Sequence, residues 1–271
     1  MANIIEKAAE KRLSQHRPAT MQDYIKKMQG EITKALPSVI TPERFTRIVF
    51  SALSTNPKLQ ECSPQSFLGA MMTAAQLGLE PNTPLGQAYL IPYKNHGQLE
   101  CQFQLGYKGL IDLCYRSGEV STVQAHTVYE NDTFEYELGL DNKLRHVPAS
   151  SGRGVPTHFY ALFRTISGGY GFEVMSIEDI RTHAQRYSKS YGSGPWQTNF
   201  EEMAKKTVLK KALKYAPMKT EFARSFSADE SIKTQLDADM LSLPNEAYIE
   251  VEATVDEETG EVIEVSKQAV Q

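Results

Sequence analysis

Cysteine is scarce in this sequence, and long apolar runs are missing. Cys62, Cys101 and Cys114 stand singly among 271 residues, which fits a reducing compartment better than a disulfide framework, and their spacings exclude a zinc finger or ribbon. No run approaches the roughly 18 apolar residues of a membrane-spanning helix. The first residues, MANIIEKAAEKRLSQHR, are charged throughout and lack the apolar region of a secretory signal. We therefore expect a cytoplasmic protein without a membrane partner.

The common signatures of catalysis are also missing. There is no G-x-x-x-x-G-K-[ST] segment of a P-loop ATPase, and no G-x-G-x-x-G joins a strand to a helix. The six histidines are far apart, and no two have the spacing of a metal-binding pair. No serine or cysteine lies in a recognisable nucleophile motif. We therefore expect no cofactor, no resident metal and no enzymatic activity.

One acidic stretch, YENDTFEYELGLD, keeps a metal-dependent alternative open. Clustered carboxylates can hold Mg²⁺ for phosphodiester hydrolysis. Against this, acidic and apolar side chains alternate along the stretch, which predicts a strand with one wet face and one dry face. A nuclease is therefore the alternative function. Its carboxylates would be Glu130, Asp132, Glu135, Glu137 and Asp141.

Charge is segregated along the chain, so the net value of −4 conceals a basic region. Residues 240–271 contain eight carboxylates and one lysine, a net charge of −7, which leaves +3 for residues 1–239. An acidic tail beside a basic body is common in nucleic-acid-binding proteins. A solvated tail without a role is an equal alternative.

Helix start and stop signals are clear in the first third of the chain. Thr41 is the predicted N-cap of a helix that begins at Pro42, and Ser63 with Pro64 repeats the signal. Gly78 is the predicted end of that second helix. Further helices are predicted in YKGLIDLCYRSG, in SIEDIRTHAQRYSKS after a capping box, and in TNFEEMAKKTVLKKALKYAP.

The residues between these helices alternate with the period of strands. Gln87–Tyr93 and Leu99–Leu105 predict one hairpin, and Lys94 at the entry to its turn is a candidate binding residue. Two strands around residues 131–132 predict a second hairpin, and residues 168–169 lie in the turn of a third. Three hairpins between helices predict an α+β fold with an antiparallel sheet.

We divide the chain into three parts. Residues 1–40 are predicted to form an N-terminal arm or helix that makes oligomer contacts, and residues 41–225 the core. Residues 226–271 show little apolar periodicity and are predicted to be a flexible acidic tail that interacts with partners.

The segment AKKTVLKKALKY, residues 204–215, concentrates five lysines on one predicted helix. At about 100° per residue its apolar residues share one face, and Lys205 alone among the lysines lies on that side. Glu201 and Glu202 are close enough in sequence to pair with the first lysines. We interpret the opposite, cationic face as a surface for a polyanion, ahead of a solvated face or a lipid surface. That face consists of Lys206, Lys210, Lys211 and Lys214.

Two neighbouring groups extend this hypothesis. The glycine-rich segment KSYGSGPWQTNF brings Tyr191 and Trp196 next to the lysines, a composition typical of single-strand grooves in which bases stack. A core role for Trp196 is an equal alternative. Lys108, Asp112 and Arg116 lie on one helix face at i, i+4 and i+8 and are a second basic site or an internal salt-bridge ladder.

Three long motifs resemble one family. QLGLEPNTPLGQAYLIPY, QLGYKGLIDLCYRSG and GPWQTNFEEMAKKTVLKKALKYAP, in this order and spacing, look like the RecT family of phage single-strand annealing proteins. The resemblance covers about residues 40–225, and the chain length and acidic tail agree with it. The family often has arginine near positions 210 and 211, where this chain has lysine, which keeps the charge but loses bidentate phosphate geometry.

The resemblance implies an ATP-independent recombinase that coats single-stranded DNA and pairs it with its complement, so that single-stranded DNA and the annealed duplex are its expected DNA partners. It implies a Rad52-like annealing fold that assembles into rings or helical filaments in the bacterial cytoplasm. Expected partners are other copies of the chain and, through the C-terminal tail, a 5′→3′ exonuclease and the host single-strand-binding protein. The implied DNA-groove residues are Tyr107, Lys108, Arg116, Trp196, Lys205, Lys206 and Lys210.

Overall fold

The computed structural model describes residues 19–95, 97–188, 191–192, 195–217, 240, 251–255 and 262–267. Helices and strands follow one another in mixed order along these residues. The helices are α1 Met21–Lys27, α2 Gln29–Ala35, α3 Pro42–Thr55, α4 Pro57–Gln60, α5 Pro64–Leu77, α6 Tyr107–Arg116, α7 Ile177–Tyr187, α8 Pro195–Thr198 and α9 Phe200–Leu213. The strands are β1 Ala88–Asn95, β2 Gln98–Leu105, β3 Val120–Tyr129, β4 Thr133–Glu137, β5 Lys143–Val147, β6 Pro156–Thr165, β7 Tyr170–Ser176, β8 Val251–Val255 and β9 Val262–Lys267.

The helix starts predicted from the sequence are confirmed. The Thr41 side chain accepts a hydrogen bond from the Arg44 N–H, and Ser63 caps α5 in the same way. The α5 helix ends at Gly78, whose φ of 58° lies in the left-handed region. The capping box of Ser176 with Asp179 is also present at α7. Capping contacts within a few residues of each end therefore define these boundaries.

Within the predicted N-terminal arm, the described residues form α1 and α2, whose apolar side chains join the core. Met21, Ile25, Met28 and Ile32 are all buried in the hydrophobic cluster that contains α5. The role of residues 1–40 in oligomer contacts stays a prediction, and residues 1–18 lie outside the described part of the chain.

Antiparallel pairing organises every sheet of the described chain, as the α+β prediction requires. The β1–β2 hairpin pairs Ala88 with Leu105 and packs on α5. A second sheet has the strand order β3–β6–β7, and α9 lies across it. Phe159 of β6 and Leu213 of α9 are buried in the same core as Phe67 of α5. One core thus joins the helical layer to both sheets.

The predicted pairing of the second hairpin is wrong. β3 pairs with β6, whereas β4 pairs with β5, a short strand that the sequence did not predict. The reason lies at Asp132, whose carboxylate accepts the backbone N–H of Tyr129 at 2.9 Å and of Ala149 at 2.8 Å. These bonds tie the end of β3 to the residues after β5, so the intervening chain forms a hairpin of its own.

Two strands lie within the region predicted to be a flexible tail. β8 and β9 pair antiparallel, and β9 packs against β1. The other tail residues, apart from Met240, lie outside the described part of the chain. Among the residues that the structure describes, no helix combines the length and apolar character that crossing a membrane requires.

Candidate nucleic-acid interface

Helix α6 is held against the β1–β2 hairpin by a close backbone contact. The Gly106 N–H donates to the Gln87 carbonyl at 2.9 Å. A Cβ atom at Gly109 would lie 2.1 Å from the same carbonyl oxygen, so only glycine permits this approach. The LGYKG sequence therefore fixes where Tyr107 and Lys108 stand at the start of the helix.

Half of the predicted ladder on α6 forms: Asp112 pairs with Arg116, whereas among the described residues no ion pair joins Asp112 to Lys108. Arg116 Nη2 lies 2.8 Å from Asp112 Oδ2, and the Arg116 side chain is only 17% exposed. The Gln87 amide donates to the same carboxylate oxygen at 3.4 Å. Lys108 packs over Gly86, where an added Cβ would lie 3.3 Å from Lys108 Cδ. Arg116 thus contributes an internal ion pair, and its predicted contact with DNA stays a prediction.

The first half of α9 lines two adjoining clefts. The smaller, which we name the α6–α9 cleft, has a volume of about 230 Å³. Its lining residues are Tyr107, Ile111, Val123, Gln124, Ala125, Glu202, Lys205, Lys206 and Leu209. Lys206 Nζ lies 6.0 Å from the centre of the Tyr107 ring, the range of a cation–π contact. The structure therefore brings together three of the residues predicted from separate motifs.

The larger cavity, which we name the histidine cleft, has a volume of about 470 Å³. It is lined by Ala125, His126, Thr127, Tyr129, His146, Pro148, Arg153, Tyr160, Glu201 and Lys205. Ala125 and Lys205 belong to both clefts. Lys205, which the helical pattern placed on the apolar side, therefore stands at the junction of the two cavities, where it pairs with Glu202.

The second half of α9 faces other elements. Lys211 Nζ lies 3.7 Å from Glu173 Oε1 on β7. Burial, and then the charges of Lys211, Lys214 and Lys210, lower the pKa of His183 on α7. These three lysines therefore gather near α7 and β7, and none of them lines either cleft.

The aromatic residues before α9 pack inward. Trp196 is 5% exposed, and its ring centre lies 5.7 Å from that of Phe200 and 6.2 Å from that of Tyr191. The burial favours the core role that the sequence left as an alternative for Trp196. Lys94 is exposed at the end of β1, and it lines neither cleft.

A buried carboxylate shapes one wall of the histidine cleft. The Arg153 guanidinium donates to Asp132 through Nε at 2.9 Å, and His146 Nε2 lies 3.0 Å from the same carboxylate. These bonds, with Arg153 first among them, hold the pKa of Asp132 far below its usual range. Arg153 also lies over the Tyr129 ring, 4.2 Å from its centre. Asp132 thus positions two side chains that line the cavity.

The other carboxylates of the 130–141 stretch do not converge. Glu137 pairs with Lys143 at 3.0 Å, and Glu135 with Arg145 at 3.9 Å, across the β4–β5 hairpin. The described residues contain no group of three or more histidines, cysteines or acids suited to hold a metal. Nothing in this arrangement favours the nuclease alternative.

Sequence reasoning missed most of the histidine cleft. The signal was present in β3, where residues 125, 127 and 129 share one face by the period-2 rule. Arg153 and Glu201 reach that face from a distant loop and from α9, and no spacing in the sequence connects them. Glu201 Oε2 accepts from the Thr127 hydroxyl at 3.2 Å and from the Tyr129 hydroxyl at 2.9 Å.

Comparison with known proteins places the chain in a family. The model of the RecT family matches residues 43–241. The chain is 40% identical to Protein RecT of Escherichia coli over 214 residues, 78% of this chain and 79% of that protein. It is 27% identical to the uncharacterized protein YqaK of Bacillus subtilis over 244 residues, 87% and 81% of the two chains. The chain belongs to the RecT family.

Proposed function

We propose that this RecT-family protein binds single-stranded DNA along the α6–α9 cleft and promotes pairing with the complementary strand. Membership in the family establishes DNA binding and single-strand annealing in recombination. The single observation that carries the placement is the convergence of Tyr107, Lys205 and Lys206 on one cleft. Lysines neutralise phosphates, and an aromatic ring offers a base a stacking surface.

The chemistry of annealing suits such a cleft. Phosphate contacts are indifferent to sequence, while base pairing between the strands supplies the specificity. We propose that pairing is the driving force, so that the protein needs neither ATP nor a catalytic group. Lys210 and Lys214 would extend the cationic surface beyond the cleft along α9.

Further parts of the proposal rest on the family. Self-association accompanies single-strand binding in the RecT family. We propose a Rad52-like annealing core that assembles into rings or helical filaments in the cytoplasm of the bacterial host. We also propose that the acidic tail contacts a 5′→3′ exonuclease and the host single-strand-binding protein, since the net charge of −7 over residues 240–271 suits basic protein surfaces rather than DNA.

The placement is tested by measuring the affinity of Lys206→Ala and Lys210→Ala for a labelled single strand across a salt series. Each variant is expected to bind more weakly, and its log-affinity slope against log salt should be shallower by about 0.7 for each phosphate that it no longer neutralises. Lys58→Ala, an exposed lysine on α4, is the matched control and should bind normally. Unchanged slopes in both α9 variants would contradict the placement.

Two further measurements examine the proposed activity. Mixing the protein with complementary strands should accelerate duplex formation, and electron microscopy of the same mixture should show rings or filaments. Labelled DNA incubated with Mg²⁺ should keep its full length, whereas shortened products would revive the nuclease alternative.

A further inference from the structure

The histidine cleft adjoins the proposed DNA path and differs from it in chemistry. The α6–α9 cleft presents Lys206 beside an aromatic ring. Both clefts contain lysine and a carboxylate, but the histidine cleft surrounds Arg153 and Glu201 with several rings, those of His126, Tyr129, His146 and Tyr160. In this cleft a phosphate would be attracted by Arg153 and repelled by Glu201. The mixture suits a neutral ligand that carries both donors and acceptors.

Two polar atoms in the lining make no hydrogen bond to any described residue. The hydrogen bonds of Arg153 use Nε and Nη2, and within the described part of the chain Nη1 has no hydrogen-bond partner. Glu201 accepts two hydroxyl hydrogen bonds through Oε2, while Oε1 accepts none from any described residue. A guanidinium donor and a carboxylate acceptor are the groups that proteins use to recognise the edges of nucleobases.

The walls offer a stacking surface. His126 is exposed, and its ring centre lies 5.3 Å from that of the buried Tyr160. Partial desolvation of the ring, with smaller contributions from His146 and Lys205, lowers the pKa of His126. The ring is therefore neutral at neutral pH and acts as an aromatic surface rather than as a cation. A volume of about 470 Å³ is ample for one base, within the range of small-molecule sites.

We propose that the histidine cleft is a nucleobase subsite, which receives one unstacked base of the bound strand against His126, with Arg153 and Glu201 at its edge. The inference rests on the proposed function, because Lys205 joins the two clefts and a strand on Lys206 passes the mouth of the second. A base held there interrupts stacking along the strand and keeps neighbouring bases apart until the complement arrives.

The test is a double-mutant cycle between His126 and the bases. Affinities of the wild-type protein and of His126→Ala are measured for a single strand and for a base-free strand of the same length. The loss of the bases should cost the wild-type protein about tenfold more affinity than it costs the variant, given the usual contribution of base stacking. His126→Phe should restore the difference. Equal losses in the wild-type protein and His126→Ala would overturn the proposal.

Lys206→Ala separates this inference from the proposed function. It should weaken binding of both strands equally, because it removes a phosphate contact. No effect of Lys206→Ala on either strand would contradict the DNA path itself. A normal effect of Lys206→Ala together with no coupling at His126 would overturn the subsite alone.

Glu201→Gln tests the edge contact. The amide keeps an oxygen that can accept the Thr127 and Tyr129 hydroxyls, but it accepts a cytosine amino group less strongly than a carboxylate does. The ratio of affinities for oligo(dC) and oligo(dT) should therefore fall several-fold in the variant, while Glu202→Gln should leave the ratio unchanged. A ratio that Glu201→Gln does not alter would remove Glu201 from the proposed subsite.

Discussion

The two halves of α9 carry similar charge and have different surroundings. Lys205 and Lys206, in the first half, line clefts between α6, α9 and β3. Lys210 and Lys211, in the second half, lie near His183, and Lys211 pairs with Glu173 of β7. A helix that crosses a sheet meets different strands along its length, so a cationic ridge on a helical wheel becomes two separate surfaces.

The acidic partners of these lysines also differ between the two halves of α9. In the first half Glu202 is a neighbour on the same helix, and its side chain is 70% exposed. In the second half Glu173 belongs to the sheet and is 31% exposed. The pair in the first half can exchange for a phosphate at little structural cost, whereas the pair in the second half helps to hold α9 on the sheet.

The largest expected effect is that of removing both lysines of the first half. Lys205→Ala combined with Lys206→Ala should lower the affinity for single-stranded DNA at least tenfold, and the salt slope should fall by about 1.4 for two phosphates. Fluorescence anisotropy across a salt series measures both quantities. If Lys210→Ala with Lys211→Ala caused the greater loss of affinity, the comparison would be reversed.

A smaller effect of opposite sign is expected for Glu202→Gln. The change frees Lys205 from its ion pair and removes a negative charge beside the proposed path. Affinity for single-stranded DNA should rise about threefold, less than 1 kcal/mol, as expected for an exposed pair. The same change in the Lys205→Ala background should give a smaller gain, and an equal gain would show that the pair is not the cause.

Lys211→Ala should change DNA affinity less than twofold. The Lys211–Glu173 pair is partly exposed on both sides, so its loss should cost at most about 0.5 kcal/mol of unfolding free energy. Urea denaturation measures the change in the free energy of unfolding, and a binding titration measures the change in DNA affinity. A tenfold loss of DNA affinity would instead place Lys211 on the DNA path.

The smallest effect concerns protonation of His183 in the second half. Its pKa is lowered in the folded protein by burial and by three lysines, so the unfolded chain binds more protons as the pH falls below about 6.5. The contribution of His183 to stability is therefore present at neutral pH and is lost on acidification. NMR titration should show the pKa of His183 rising in Lys211→Ala, and an unchanged value would exclude Lys211 as a cause.

Local chemistry made much of the fold predictable. Thr41, Ser63 and Gly78 act within a few residues of the helix ends that they define, so the sequence alone placed those boundaries correctly. Pairing between strands depends on contacts that are distant in sequence. Asp132 redirected the chain after β3 through Ala149 and Arg153, and no short pattern contains that information.

The candidate site likewise contains features that the sequence predicted and features that depend on the folded chain. Charge and helical period predicted Lys206, and the motif resemblance predicted Tyr107, both of which line the α6–α9 cleft. The helical pattern also set Lys205 apart from the other lysines. Its position at the junction of two clefts, however, depends on how β3 packs on α9, which only the folded chain shows.

The shape of the histidine cleft depends on Asp132, in the turn after β3, through the residues that Asp132 holds in place. Its side chain is fully buried and does not line the cavity, yet it orients His146 and Arg153, which do. The β4–β5 hairpin and the cavity wall are thus secured by one carboxylate. A change at Asp132 would therefore alter the cleft, although Asp132 is not among its lining residues. Relatives that lack an acid at this position should have a differently shaped cavity, even where they share every lining residue.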